Sequence, residues 1–403
     1  MKQVLFVDDE PMILDGLRQV LHRQRARWQM SFAASAAEAL ELLKQKSFDV
    51  IVSDMRMPGM DGAALLQQIR SRYPRTARLI LSGHSSRDEL LRALPVAQQL
   101  LSKPCPPDAL CAAVERVCRI QELIANDAVR RLLGKVESLP SLPQSYHQLS
   151  VALLDPDTSA ADLAAIVERD TALTVKTLQL VNSAYFGLAA PTTSVLKAVR
   201  HIGVDLLRAL VASNQIYGAV SAELFRQGPL RNLPERAMRK AQLARRILID
   251  LGQPSDAAFA AGLMLDAGLI VLALGDAGLL ARMWEQCRAQ RRALYEVERE
   301  HLGATHAEVG ASLLGLWGLP AELVELVGHH HDALDADADA EGDTTGIVLD
   351  VVGALVDAHH FGYATGTDGL QQRVREHPLV QAHLEEWLAL AQSPEADVTG
   401  DAA

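Results

Sequence analysis

Val4–Glu10, VLFVDDE, decides the fold of the first third of the chain. Four apolar residues in a row are too few for a helix. They end in three acids, and Pro11 then opens an amphipathic stretch over 11–23, so the run is a buried strand feeding a helix. The same alternation continues outward. Strands are expected at Trp28–Ala33, Phe48–Val52 and Arg78–Leu81, and helices at Ala36–Lys46, Asp61–Arg70 and Pro107–Ile124. Strands alternating with helices of this length predict a doubly wound α/β fold with a parallel sheet. Ligands of such sheets sit outside the carboxyl ends of the strands. Asp8, Asp9, Asp54, Ser82 and Lys103 all fall at such ends and should converge. Carboxylates packed together repel unless a hard cation such as Mg²⁺ joins them. A lysine and a hydroxyl beside them could hold the oxygens of a phosphoryl group carried on a carboxylate. Any one of these residues alone would read as a solvated loop acid or surface lysine.

The bulk composition narrows the classes. At 403 residues and 49% hydrophobic, the chain has room for two or three domains with sizeable cores. Aromatics are only 4%, and the alanine- and leucine-rich remainder favours helix. A formal net charge of −11 argues against a general nucleic-acid binder, and no helix-turn-helix with a basic face stands out, so direct DNA binding is not expected. The opening MKQVLFVDDE does not read as a signal peptide, and no run of about 18 apolar residues is evident, so neither export nor membrane insertion is expected. Cys111 and Cys118 fit one helix face better than a disulfide, and a cytoplasmic location with reduced thiols is expected.

The remainder reads as helix throughout. Leu139-Pro140-Ser141-Leu142-Pro143 interrupts the chain, and amphipathic stretches follow at 144–154, 160–168, 171–182, 195–202, 205–220, 235–251, 256–274 and 305–317. Ile347–His360 and Leu370–Gln392 close the series. Asp332–Gly346, DALDADADAEGDTTG, lacks calcium-loop spacing and reads as a flexible acidic loop, with a disordered tail over 393–403. Organisation is expected as 1–122, a helical linker 123–138, 139–335, the acidic loop 336–346, closing helices 347–392 and the tail. Leu110, Ala113, Val117, Ile120 and Ile124 form a short seam, so helix 107–131 could dimerise or dock.

FVDDE, SDMRMPGMDG, LSGHS and LSKPC together resemble the receiver domain of two-component response regulators over about Met1–Arg119. The resemblance implies a flavodoxin-like five-stranded sheet and phosphorylation by a sensor histidine kinase. It makes Asp54 the phosphoacceptor. Asp9, Asp54 and the Arg56 carbonyl would bind Mg²⁺, with Asp8 assisting through water, and Ser82 and Lys103 would touch the phosphoryl group. The switch position three residues before the lysine, often aromatic, is Leu100 here.

LPSLPQ, IVERDTALTVKTLQLVNSAYFG, LKAVRHIGVDLLRALV, AAFAAGLMLDAGLIVLA and HAEVGASLLGLWGLP, followed by HH, resemble the HDOD domain over about Ser138–His331. This is an all-α, non-catalytic relative of HD and HD-GYP phosphohydrolases. It implies an output module that binds a protein partner or a nucleotide. Ala261–Leu272 reads as one buried helix carrying Asp266, with Leu265 where the catalytic pair's histidine belongs and Leu269 in place of the lysine. The first histidine of the pattern should fall near Arg236–Ala237, yet no histidine lies between His201 and His301. The late aspartate falls at Gly353, with Asp350 and Asp357 a turn to either side. Asp266, His306, His329 and His330 are the remnants. The expectation is a metal-free site in which Asp266 pairs with His306, while Arg236 and Lys240 belong to a solvated face. The competing reading is a metal-dependent phosphodiesterase acting on a cyclic dinucleotide.

Overall fold

A computed structural model describes residues 1–83, 87–123, 126–136, 139–141, 143–155, 157–183, 186, 188–207, 218–219, 228–332, 344–361 and 372–392. Most of the acidic loop, the 393–403 tail, Arg208, Ile124 and most of the stretch expected as helix 205–220 lie outside these residues.

The first third is a five-stranded parallel sheet. Its strands β1 (Lys2–Val7), β2 (Trp28–Ala33), β3 (Val50–Asp54), β4 (Ala77–Gly83) and β5 (Gln99–Lys103) lie in the order β2-β1-β3-β4-β5. Val4 pairs with Val50 and Leu79 with Gln99, so the apolar runs of neighbouring strands lie side by side and bury both sheet faces. Around them pack α1 (Pro11–Val20), α2 (Ala36–Gln45), α3 (Gly62–Arg72), α4 (Arg87–Ala93) and α5 (Pro107–Leu123). Side-chain oxygens of Ser35 and Asp61 accept from the third residue of α2 and α3, fixing where these helices begin. Gly62 has to be glycine: a Cβ there would lie 2.1 Å from the Asp54 carbonyl oxygen. The loop after β3 therefore folds tightly under the strand end.

Beyond the sheet the chain is helical: α6 (Asp127–Lys135), α7 (Pro143–Ala152), α8 (Ala160–Glu168), α9 (Thr171–Val181), α10 (Val195–Ile202), α11 (Leu233–Asp250), α12 (Asp256–Met264), α13 (Ala267–Gln290), α14 (Leu294–Leu302), α15 (His306–Leu316), α16 (Ala321–Gly328), α17 (Thr344–Phe361), α18 (Gln372–Glu376) and α19 (Pro378–Gln392). Capping boxes at Ser159 and Thr305 start α8 and α15. A two-residue parallel pairing of 140–141 with 218–219 is an exception to the all-helix expectation.

Sheet and bundle share one continuous apolar core. Helix α5 packs on α15, bringing Ile120 so close to Gly315 that a Cβ there would meet its side chain at 2.6 Å. Gly134 of α6 lies under the turn after α3, where a Cβ would stand 1.5 Å from the Pro74 carbonyl oxygen. The buried Arg78 guanidinium donates to the carbonyls of Val96 (2.9 Å) and Gly134 (2.9 Å), tying sheet to linker.

Three expectations need correction. Helix 107–131 is two helices, α5 ending at Leu123 and α6 starting at Asp127. Ala261–Leu272 is likewise a helix junction, because Asp266 leaves helical geometry and ends α12 before α13 begins. The expected helix 370–392 breaks at His377-Pro378, since the residue before a proline is pushed out of the α region. Asp256–Gln290 has the length and composition of a membrane span, yet Asp266 divides it into two helices and 89% of its most apolar window is buried inside the protein.

Candidate functional site

Asp54 closes β3 and Lys103 closes β5, two strands away, with β4 between them. The Lys103 ammonium donates to Asp8 Oδ2 at 2.7 Å and also pairs with Asp54. One cation thereby bridges carboxylates that would otherwise repel. The Arg56 amide donates to Asp54 Oδ2 (2.6 Å) and the Glu10 amide to Asp8 Oδ1 (3.0 Å). Asp8 and Asp54 are buried, Asp9 is half-buried, and Ser82 lies buried at the end of β4 with its hydroxyl on the Gly83 carbonyl (3.2 Å). Burial pushes the Asp54 carboxyl above its usual value against the pull of Lys103. Burial disfavours charge on Lys103 too, yet Asp54 and Asp8 outweigh it and raise its pKa. The oxygen-only donor set of Asp8, Asp9, Asp54 and the Arg56 carbonyl suits Mg²⁺. The Lys103–Pro104 peptide bond is cis.

The output bundle holds a second polar cluster. Asp266, at the α12–α13 junction, accepts from Lys240 Nζ at 2.6 Å and from Arg236 Nη2 at 3.3 Å. The same two cations reach Asp357 on α17, Arg236 Nε at 3.0 Å and Lys240 Nζ at 2.9 Å. Arg236 and Lys240 lie one turn apart on α11 and are 3% and 1% exposed, so they are core residues rather than a solvated face. Burial alone would raise the Asp266 carboxyl, but Lys240 and Arg236 hold it far below the carboxylate range.

His306 is a neighbour of Asp266 and not its main partner. Its Nε2 stands 3.9 Å from Asp266, while Nδ1 lies 2.7 Å from Glu298, a fully buried residue on α14. The Glu298 carboxylate also accepts from the His306 amide at 2.7 Å. Burial works against a charged His306, but Glu298 and Asp266 outweigh it and raise its pKa. The adjoining histidines are His330 and His331. His331 Nε2 lies 3.0 Å from His306 Nε2, and His330 is buried with Nδ1 on the Val327 carbonyl at 2.7 Å. Burial pushes His330 down to about 3 and lowers His331 as well. His329 turns outward to Asp332, so the remnant set is corrected: His331 takes the place assigned to His329.

Sequence reasoning missed Glu298, His331, and Arg236 and Lys240 as partners of Asp266. The i, i+4 spacing of the two cations was a usable signal, since it puts both on one helix face. Nothing in the sequence pointed to Glu298.

Family models match this arrangement in both halves: a response regulator receiver domain over residues 4–115 and an HDOD domain over 139–333. The chain is a response regulator with an HDOD domain. Among curated relatives, the regulator is 41% identical to the DNA-binding transcriptional regulator NtrC of Escherichia coli over 116 residues, 28% of this chain and 24% of that protein. It is 34% identical to the hydrogenase transcriptional regulatory protein HoxA of Cupriavidus necator over 147 residues, 36% and 30% of the two chains. It therefore spans well under half the length of these relatives. Among solved structures, the MmoQ response regulator of Methylococcus capsulatus is 22% identical with a TM-score of 0.48, the match covering 62% of this chain and 98% of that one. A virulence factor of Campylobacter jejuni is 20% identical with a TM-score of 0.49 over 67% of this chain and 98% of that one.

Proposed function

We propose that a sensor histidine kinase phosphorylates Asp54 and that the phosphoryl group switches the HDOD domain through the face formed by α4, β5 and α5. The observation carrying this reading is how the output helices sit on that face. Lys176 Nζ of α9 donates to the Leu94 carbonyl (3.1 Å) and Gln179 Nε2 to the Gln98 carbonyl (3.2 Å). Gln99 Nε2 of β5 donates back to the Leu316 carbonyl of α15 (3.2 Å). Gln99 opens the strand that ends in Lys103 and directly precedes Leu100. Asp9, Asp54 and the Arg56 carbonyl would hold Mg²⁺, which would supply positive charge for the incoming phosphoryl oxygens. Lys103 then has to exchange its hold on Asp8 and Asp54 for the phosphoryl group, with Ser82 donating beside it. Replacing the carboxylate by an acyl phosphate adds about one negative charge and three acceptor oxygens at this strand end, which changes what Lys103 can pair with, and β5 transmits that change to the docked helices.

The output then acts by binding, in the cytoplasm, to a protein partner or a nucleotide. Arg236 and Lys240 neutralise Asp266 and Asp357, which leaves these carboxylates poorly placed to activate water on a metal. The test is acetyl phosphate with Mg²⁺, followed by hydrogen exchange of α9 and β5. Exchange should quicken at 94–103 and 171–181 in the wild type and stay unchanged in Asp54→Asn. Equal labelling of Asp54→Asn, or turnover of a cyclic dinucleotide by the purified protein, would overturn the reading.

A further inference from the structure

We propose that His306, His330 and His331 form a site for one divalent transition-metal ion in the HDOD domain. Three imidazoles converge here with ligand nitrogens all within 4.8 Å of one another. His330 is the decisive member. Its Nδ1 faces the Val327 carbonyl and must carry the proton, so Nε2 presents a bare lone pair. That nitrogen is buried and has no hydrogen-bond partner. An unsatisfied buried acceptor costs free energy, and a metal ion would satisfy it.

The outer contacts have the form that metal-ligating histidines use. Glu298 takes the Nδ1 proton of His306 at 2.7 Å and the Val327 carbonyl takes that of His330, which turns both Nε2 lone pairs inward. His306 and His331 Nε2 are 3.0 Å apart. Nitrogens on a tetrahedral Zn²⁺ lie about 3.3 Å apart, so only a few tenths of an ångström separate this pair from a metal-bound geometry.

Asp266 lies beside the three imidazoles. Oδ2 is occupied by Lys240 and Arg236, while Oδ1 stands 3.9 Å from His306 Nε2. The two cations thus orient the carboxylate at the edge of the cluster. Three imidazole nitrogens favour Zn²⁺, Fe²⁺ or Co²⁺ over Mg²⁺. Such an ion would tie the start of α15 to the residues after α16, stiffening the helix that docks on α5. The proposal departs from the expectation of a metal-free output domain and does not depend on how Asp54 is used.

The test uses the full chain, stripped with chelator and held in millimolar Mg²⁺ so that the receiver carboxylates are filled. Co²⁺ alone is then titrated. The expected result is one Co²⁺ per chain with the strong visible absorption of a four-coordinate ion, displaced by Zn²⁺. His331→Gln and His330→Asn should each weaken Co²⁺ binding by at least about 100-fold while helix content is retained. Absence of stoichiometric Co²⁺ binding by the folded wild type overturns the proposal, as does unchanged affinity in both variants. X-ray absorption of the Zn²⁺-loaded wild type decides independently of any variant: three imidazole ligands support the site, and fewer than two refute it.

Discussion

Replacing Lys240 by Met removes one ammonium from the interior and leaves its stem volume in place. In the wild type that ammonium contacts Asp266 at 2.6 Å and Asp357 at 2.9 Å, at a position 1% exposed to solvent. Arg236 remains, but at 3.3 Å from Asp266 it cannot carry both carboxylates. Breaking a buried ion pair by deleting one partner costs about 3–5 kcal/mol, because the other charge is stranded. For a helical domain of this size each kcal/mol shifts Tm by about 2–4 °C, so Lys240→Met should melt at least about 6 °C below wild type. The pH profile identifies the cause. Burial raises the Asp266 carboxyl, but Lys240 and then Arg236 pull it far below its unfolded value of about 3.9. Its contribution is therefore present above about pH 4 and is lost only as pH falls through the lower folded value. In Lys240→Met the folded pKa rises, so the deficit against wild type should be largest at pH 7–8 and shrink toward about pH 4. Differential scanning calorimetry across that range measures both effects. Combining Lys240→Met with Asp266→Asn should cost less than the sum of the single changes. A Tm loss under about 2 °C, or a deficit independent of pH, would refute a charge-compensated core cluster.

Three further outcomes are expected. Gly134→Ala puts a methyl group 1.5 Å from the Pro74 carbonyl oxygen, so the sheet and linker must separate; small-angle scattering should report a larger radius of gyration, and an unchanged radius would contradict the junction. Burial pushes Asp350 up to about 7, so folding favours its protonated form and stability falls as pH rises from about 4 through about 7, by on the order of 4 kcal/mol. Asp350→Asn should accordingly raise Tm at pH 8 and leave it nearly unchanged at pH 4, and equal effects at both would count against this. Lys103→Ala removes the shared cation of Asp8 and Asp54; acetyl phosphate labelling should continue while the hydrogen-exchange response of α9 disappears, and a preserved response would sink the coupling through β5.

Much of the receiver was legible because its signals are local. Strand ends carry acids, apolar runs alternate with amphipathic helices, and a parallel sheet brings strand ends together whatever the loops do. The convergence of Asp8, Asp54 and Lys103 follows from that rule. The output cluster was legible only as a set of losses. Leu265 and the histidine-free stretch before His301 marked a site that departs from the phosphohydrolase pattern. What replaced it could not be read, since Arg236 and Lys240 on an amphipathic helix look like any solvated pair until the helix is packed.

By itself the sequence determined the α/β sheet, the helical remainder and the strand-end acids, because hydrophobic periodicity and turn chemistry act over a few residues. Tertiary structure decided the rest. It turned α11 inward so that its cations meet Asp266 and Asp357, and it chose His331 over His329 by how α16 ends. It brought Glu298 from α14 behind His306, and it packed α5 on α15. Each of these depends on residues far apart in the chain meeting in a low-dielectric interior, where a charge is stable only beside its partner. No local pattern carries the identity of that partner.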